Sequence, residues 1–109
     1  MDDPEGSRER GSELDRRLRM VSNRHRRRLL YELLGRESVG ERELLSMLDS
    51  ETDDAEVVVV QMYHHHLPML ADQGYVEWSR DEGTIRRGTD FDSLRPLLEY
   101  LSNEENDPR

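Results

Sequence analysis

The stretch "VVVVQMYHHHLPMLADQGYVEW", Val57 to Trp78, constrains the fold most, because four consecutive β-branched residues stand inside a helical pattern. Val60, Tyr63, Leu67, Leu70 and Ala71 fall on one face at the helical period. An acidic run from Glu51 to Glu56 precedes them and suits the positive start of a helix, and Gly74 suits its stop. The spacing predicts a helix capped by Thr52 or Asp53, with a strand over Val57 to Val60 as the competing reading. Pro68 lies inside that helix and removes one backbone hydrogen bond, so a kink is expected there. With Leu67 turned inward, Val58, Gln61, Met62, His65 and Met69 point outward.

The flanking segments read as further helices and one hairpin. Leu14, Leu18 and Val21 follow the i, i+4, i+7 rule behind Ser12 as cap. Leu29, Leu30, Leu33 and Leu34 form the stripe of a second helix, capped by Ser22 or Asn23 and stopped by Gly35. Leu44, Leu45 and Leu48 mark a shorter third helix, with Glu41 and Glu43 near its positive end. "YVEWS" and "GTIRRG" on either side of "RDEG" predict a hairpin. A last helix follows Asp90 or Asp92 and carries Phe91, Leu94, Leu97, Leu98 and Leu101, with Pro96 tolerated near its first turn.

At 109 residues the chain has room for one domain. Residues 1–12 and 102–109 have almost no large apolar side chains and read as disordered tails around a folded unit at 13–101. With no cysteine, disulfides, thiolate zinc sites and thiol catalysis are all excluded. No apolar run approaches the length of a membrane span, so a soluble cytoplasmic protein is expected, with no membrane partner. The net charge is -9 and all 16 basic residues are arginine. An acidic surface without lysine is the expectation for a halophilic archaeal protein, although a GC-rich genome favours Arg over Lys as well.

The order and several motifs resemble a known superfamily. "RMVSNRHRRRLLYELLGRESVGERELLSML" is similar to the opening of ArsR-type regulators, and "HHLPMLADQGYVEW" to the end of their recognition helix and the entry to the wing. More narrowly, the chain resembles an uncharacterised winged-helix family of halophilic archaea. The resemblance spans about Leu14 to Leu101 and implies a mainly α winged helix-turn-helix with a small β-hairpin, acting as a transcriptional regulator on duplex DNA. It implies a small helix from Glu41 to Asp49 crossing the backbone, a reading helix starting near Asp54, and a wing tip at Arg80 to Gly83. It also implies a homodimer in which the first and last helices pair, through Leu14, Leu18 and Val21 with Leu94, Leu97, Leu98 and Leu101. The superfamily's metal-sensing patterns are missing, so no metal or other cofactor is expected.

The candidate DNA contacts are then Gln61 and His65 on the reading helix, Arg80, Thr84, Arg86 and Arg87 on the hairpin, and Arg27. Gln61 suits adenine, and Met62 or Val58 a thymine methyl. Charge argues the other way, because no arginine lies between Arg42 and Arg80 and the reading helix starts among four carboxylates. Residues 13–36 hold eight arginines against three carboxylates, either a backbone-gripping stripe or a solvated face paired with acids. Val58, Met62 and Met69 on the outer face leave a second reading open, a protein-interaction module without specific DNA binding. His64, His65 and His66 point about 100° apart on a helix and cannot converge on one ion, so His66 is expected beside the core and its neighbours in solvent. No phosphate-binding loop or nucleophile motif is present, and no enzyme activity is expected.

Overall fold

The computed structural model describes residues 4–49 and 55–105. Its elements are α1 (Pro4–Met20), α2 (Arg24–Gly35), β1 (Ser38–Gly40), α3 (Glu41–Asp49), α4 (Ala55–Gln61), a π-helical turn (Met62–His66), α5 (Leu67–Asp72), β2 (Val76–Ser79), β3 (Thr84–Arg87) and α6 (Phe91–Glu105). The chain is mainly helical with a small three-stranded antiparallel sheet in the order β1-β3-β2. The caps expected at Thr52 or Asp53 and the outermost parts of both tails lie outside the described residues. α1 starts at Pro4 and α6 runs on to Glu105.

α2 follows its sequence pattern closely. The Asn23 side chain accepts from the backbone N–H groups of His25 and Arg26 at 2.8 and 3.1 Å, satisfying two donors that the first turn leaves open. Leu29, Leu30 and Leu33 are fully buried, and they meet Leu44 and Leu48 of α3 and Phe91, Leu94 and Leu98 of α6 in one core. Each such side chain contributes roughly 1.5–3 kcal/mol on burial.

The strand β1 is not among the elements that the sequence predicts. Three residues give no periodicity to read; the strand exists because Val39 pairs with Ile85 of β3. In register, Val39, Ile85 and Trp78 share the inner face of the sheet, and Ser38, Arg86 and Glu77 the outer one. The backbone N–H of Glu41 donates to the Gly83 carbonyl at 2.9 Å, which ties the start of α3 to the hairpin turn.

The helix between Ala55 and Asp72 is where expectation and structure part. Pro68 has no N–H to donate and its ring crowds the carbonyl four residues back, so the preceding turn widens. The Leu67 N–H donates to the Met62 carbonyl, five residues back. One extra residue in a turn rotates everything before it by roughly 100° relative to a straight helix. Val58 and Met62 therefore face the core, while Val57 and Val60 stand 47% and 56% exposed. Val60, expected inside, is outside; Val58 and Met62, expected outside, are buried.

After α5 the chain reverses at Gly74, whose φ of +81° favours glycine. A Cβ on Gly88 would stand only 2.3 Å from the Gly74 carbonyl oxygen, because Gly88 N–H bonds to Tyr75 and the two backbones nearly touch. Gly88→Ala is expected to destabilise the domain by at least about 1–3 kcal/mol, by forcing these backbones apart. Urea unfolding of the two proteins side by side measures it.

Candidate nucleic-acid interface

The rotated helix sets which side chains are available. Glu56, Val57, Val60, Gln61, His64 and His65 are exposed on α4 and the π turn. Gln61 and His65 thus lie on the surface as expected, now beside Val57 and Val60 rather than Val58 and Met62. Met69 is half-buried and packs on the core. The partner face formed by Val58, Met62 and Met69 is accordingly not a surface, because two of its three residues are interior.

The π turn also turns Tyr63 away from the core centre and toward the hairpin. Its hydroxyl donates to Glu41 Oε1 at 2.7 Å, and Trp78 Nε1 donates to Glu41 Oε2 at 3.0 Å. Burial first, and then the bond to Glu41, push the Tyr63 hydroxyl up to about 12, so it remains a donor at any physiological pH. The Tyr63 and Trp78 rings lie 5.6 Å apart, and the Arg80 guanidinium sits 4.2 Å over the indole. Glu41, Tyr63, His64, Trp78 and Arg80 line an open groove of about 290 Å3 between α3, the π turn and β2. Sequence reasoning gave Glu41 only a helix-end role, and its partners lie 22 and 37 residues away, beyond any local pattern.

The arginines divide by what holds them. Arg80 is exposed, and stacking occupies the face of its guanidinium while leaving the N–H edge without a partner among the described residues. Arg86 is exposed too, with Glu82 4.0 Å away and Glu77 opposite it on β2. Arg87, expected at DNA, is instead structural: it donates to the Leu33 and Leu34 carbonyls at 2.6 and 3.1 Å and closes the C-terminal end of α2. Arg27 is likewise committed, to the Val21 carbonyl at 2.8 Å and to Glu105 at 2.8 Å. Thr84 is half-buried at the start of β3, its hydroxyl buried without a partner among the described residues. Of the α3 acids, Glu43 is held by Arg36 through two bonds of 2.8 and 2.9 Å, which keeps its carboxyl below the usual range.

A second group lies behind this surface. Arg26 is buried and donates to the carbonyls of Met20 and Arg19 at 2.9 and 2.8 Å, and to His66 Nδ1 at 2.9 Å. A guanidinium only donates, so Nδ1 accepts and the imidazole carries its proton on Nε2. Burial first, and then the nearby Arg26 charge, lower His66 to about 4. His66 is 3% exposed, deeper than expected, and no group of His, Asp or Glu among the described residues is arranged to hold a metal ion.

The expected dimer residues separate in the same way. Leu14 and Leu18 are 50% and 45% exposed, but Val21, Leu94 and Leu98 are buried in the protomer's own core, and Leu97 and Leu101 pack against it half-buried. α6 folds onto α2, so the stripe read as a dimer surface closes the monomer instead. Among the described residues no helix is long and apolar enough to cross a membrane.

Neither a curated protein nor a solved structure matches the chain. One family does match, over residues 18–86, from the last turn of α1 to β3, a span that holds the whole Glu41, Tyr63 and Trp78 cluster. The chain therefore belongs to the DUF7344 family, a domain of unknown function.

Proposed function

We propose that the domain is a winged helix-turn-helix, ArsR-like, that regulates transcription by binding duplex DNA. The observation that carries the reading is the hairpin's attachment beside the helix pair: β3 pairs with β1 directly ahead of α3, and Glu41 N–H holds Gly83 at the turn. Helix, helix, strand, short helix, long helix, hairpin and helix then follow in the order that places a second helix in the major groove and a hairpin at the flanking backbone. On that placement Val57, Val60, Gln61 and His64 face base edges, where valines suit thymine methyls and Gln61 suits adenine. Arg80, with its N–H edge open, and Arg86 face phosphates. A reading face this poor in positive charge fits a protein working in strong salt, where phosphate neutralisation contributes little and apolar base contacts carry more of the affinity.

Fluorescence anisotropy with duplex fragments from the native genome, taken through a potassium salt series, tests this. Arg80→Ala is expected to weaken binding on all sequences and to lower the salt slope by about 1, while Gln61→Ala costs about 1–3 kcal/mol of discrimination at one base position. Absence of duplex binding at both low and molar salt overturns the proposal.

A further inference from the structure

Of the three arginines on the hairpin, Arg80 alone is exposed and held in place with no carboxylate among the described residues to neutralise it. Arg87 closes the end of α2, and Arg86 stands 4.0 Å from Glu82. What holds Arg80 is Trp78. Arg80 follows β2 directly, two residues after Trp78, a spacing that returns an extended chain to the same side, and its guanidinium lies 4.2 Å over the indole. A guanidinium stacked in this way keeps its N–H edge for paired bonds to an oxyanion while its plane is fixed.

The indole is itself fastened. Trp78 is half-buried against the core, its Nε1 donates to Glu41 Oε2 at 3.0 Å, and the Tyr63 ring lies 5.6 Å away. The backbone N–H of the same Glu41 donates to the Gly83 carbonyl at 2.9 Å. One residue at the start of α3 thus grips the hairpin turn on both sides of Arg80, through Trp78 before it and Gly83 after it. Its carboxylate also takes the Tyr63 hydroxyl at 2.7 Å, which ties the helix that follows α3 to the same point. A free arginine side chain loses rotamer freedom when it takes a phosphate, whereas a stacked one has lost much of it beforehand. The difference matters most in strong salt, where the screening length is about 3 Å at 1 M and close, directed bonds persist.

We infer that Trp78 is a positioning residue for phosphate recognition: anchored by Glu41, it aims the N–H edge of Arg80 at the DNA backbone. This rests on the duplex binding proposed above. It also ranks the two exposed wing arginines, with Arg80→Ala expected to cost more affinity than Arg86→Ala.

Anisotropy titrations of the duplex fragment that the wild type binds best, at several potassium salt concentrations, test it with Trp78→Leu, Arg80→Ala and the double variant. Trp78→Leu is expected to weaken binding about two- to fivefold, the range of an exposed cation–π contact. Trp78→Phe keeps a ring under the guanidinium and is expected to recover most of that loss. Once Arg80 is alanine, Trp78→Leu is expected to change neither the affinity nor the salt slope further. Without DNA, Arg80→Ala is expected to red-shift the emission of Trp78, the single tryptophan of the chain. Should Trp78→Leu fail to fold, Glu41→Gln takes its place in the cycle, because a carboxamide offers one oxygen to the two donors. Equal losses from Trp78→Leu with and without Arg80 overturn the inference, since the indole then acts through the fold alone. An unchanged affinity, or an emission that Arg80→Ala leaves unmoved, overturns it too, and all three results leave duplex binding standing. A wild type that binds no duplex at low or molar salt overturns the inference together with the reading it rests on.

Discussion

Met62→Ala is expected to lower the stability of the domain by about 2–5 kcal/mol, whereas Val60→Ala, two residues earlier on the same helix, changes it by less than about 0.5 kcal/mol. Met62 is fully buried, and removing its side chain leaves a cavity between the π turn and its neighbours in the core. Val60 is mostly in solvent and its truncation leaves none. A straight helix with Leu67 inward predicts the reverse order. Urea unfolding of both variants thus reads the rotation of α4 directly, and equal effects, or a larger one at Val60, would show that the π turn does not set the face.

Stability is also expected to fall as the pH drops from about 6.5 to about 4, by at most about 3 kcal/mol from His66 alone. The folded state holds this imidazole neutral, as the acceptor of Arg26, and its pKa lies below that of the unfolded chain. Above pH 6.5 both states are neutral and the full stability is present. Below it the unfolded chain takes up a proton that the folded one refuses, and the loss is complete once the folded state protonates near pH 4. His66→Gln retains an acceptor for Arg26 and cannot titrate, so its stability curve should be flatter than the wild type over this window. Two curves of the same slope would place the acid sensitivity elsewhere.

The reach of the sequence can be judged from particular elements. The start and the apolar stripe of α2 were legible, as Asn23 and the leucines act through neighbouring positions, whereas the carbonyls of Leu33 and Leu34 at its end are met by Arg87 from β3. The hairpin was legible from "RDEG" and the alternation around it, and Gly83 does take a positive φ, of +66°. The consequence of Pro68 was legible only by half. A disturbance was expected there, but whether the helix bends or widens depends on what Met62 and His66 find to pack against, and widening moved the exposed face. Arg26 stood unmarked among the arginines of "RHRRR"; its partners are carbonyls at the end of another helix and a histidine 40 residues on.

The sequence by itself determined that this is a small, cysteine-free, acidic domain of helices closed by a hairpin, because helical period, caps and turn residues act over a few neighbouring positions. Only the tertiary structure decided which face of α4 meets solvent, that Leu94 and Leu98 close the monomer, and that Glu41 joins Tyr63 to Trp78. Each of these turns on contacts between residues far apart in the chain. Burial there is decided by competition among several apolar stripes for one interior, and no stripe announces in advance which of them will be left outside.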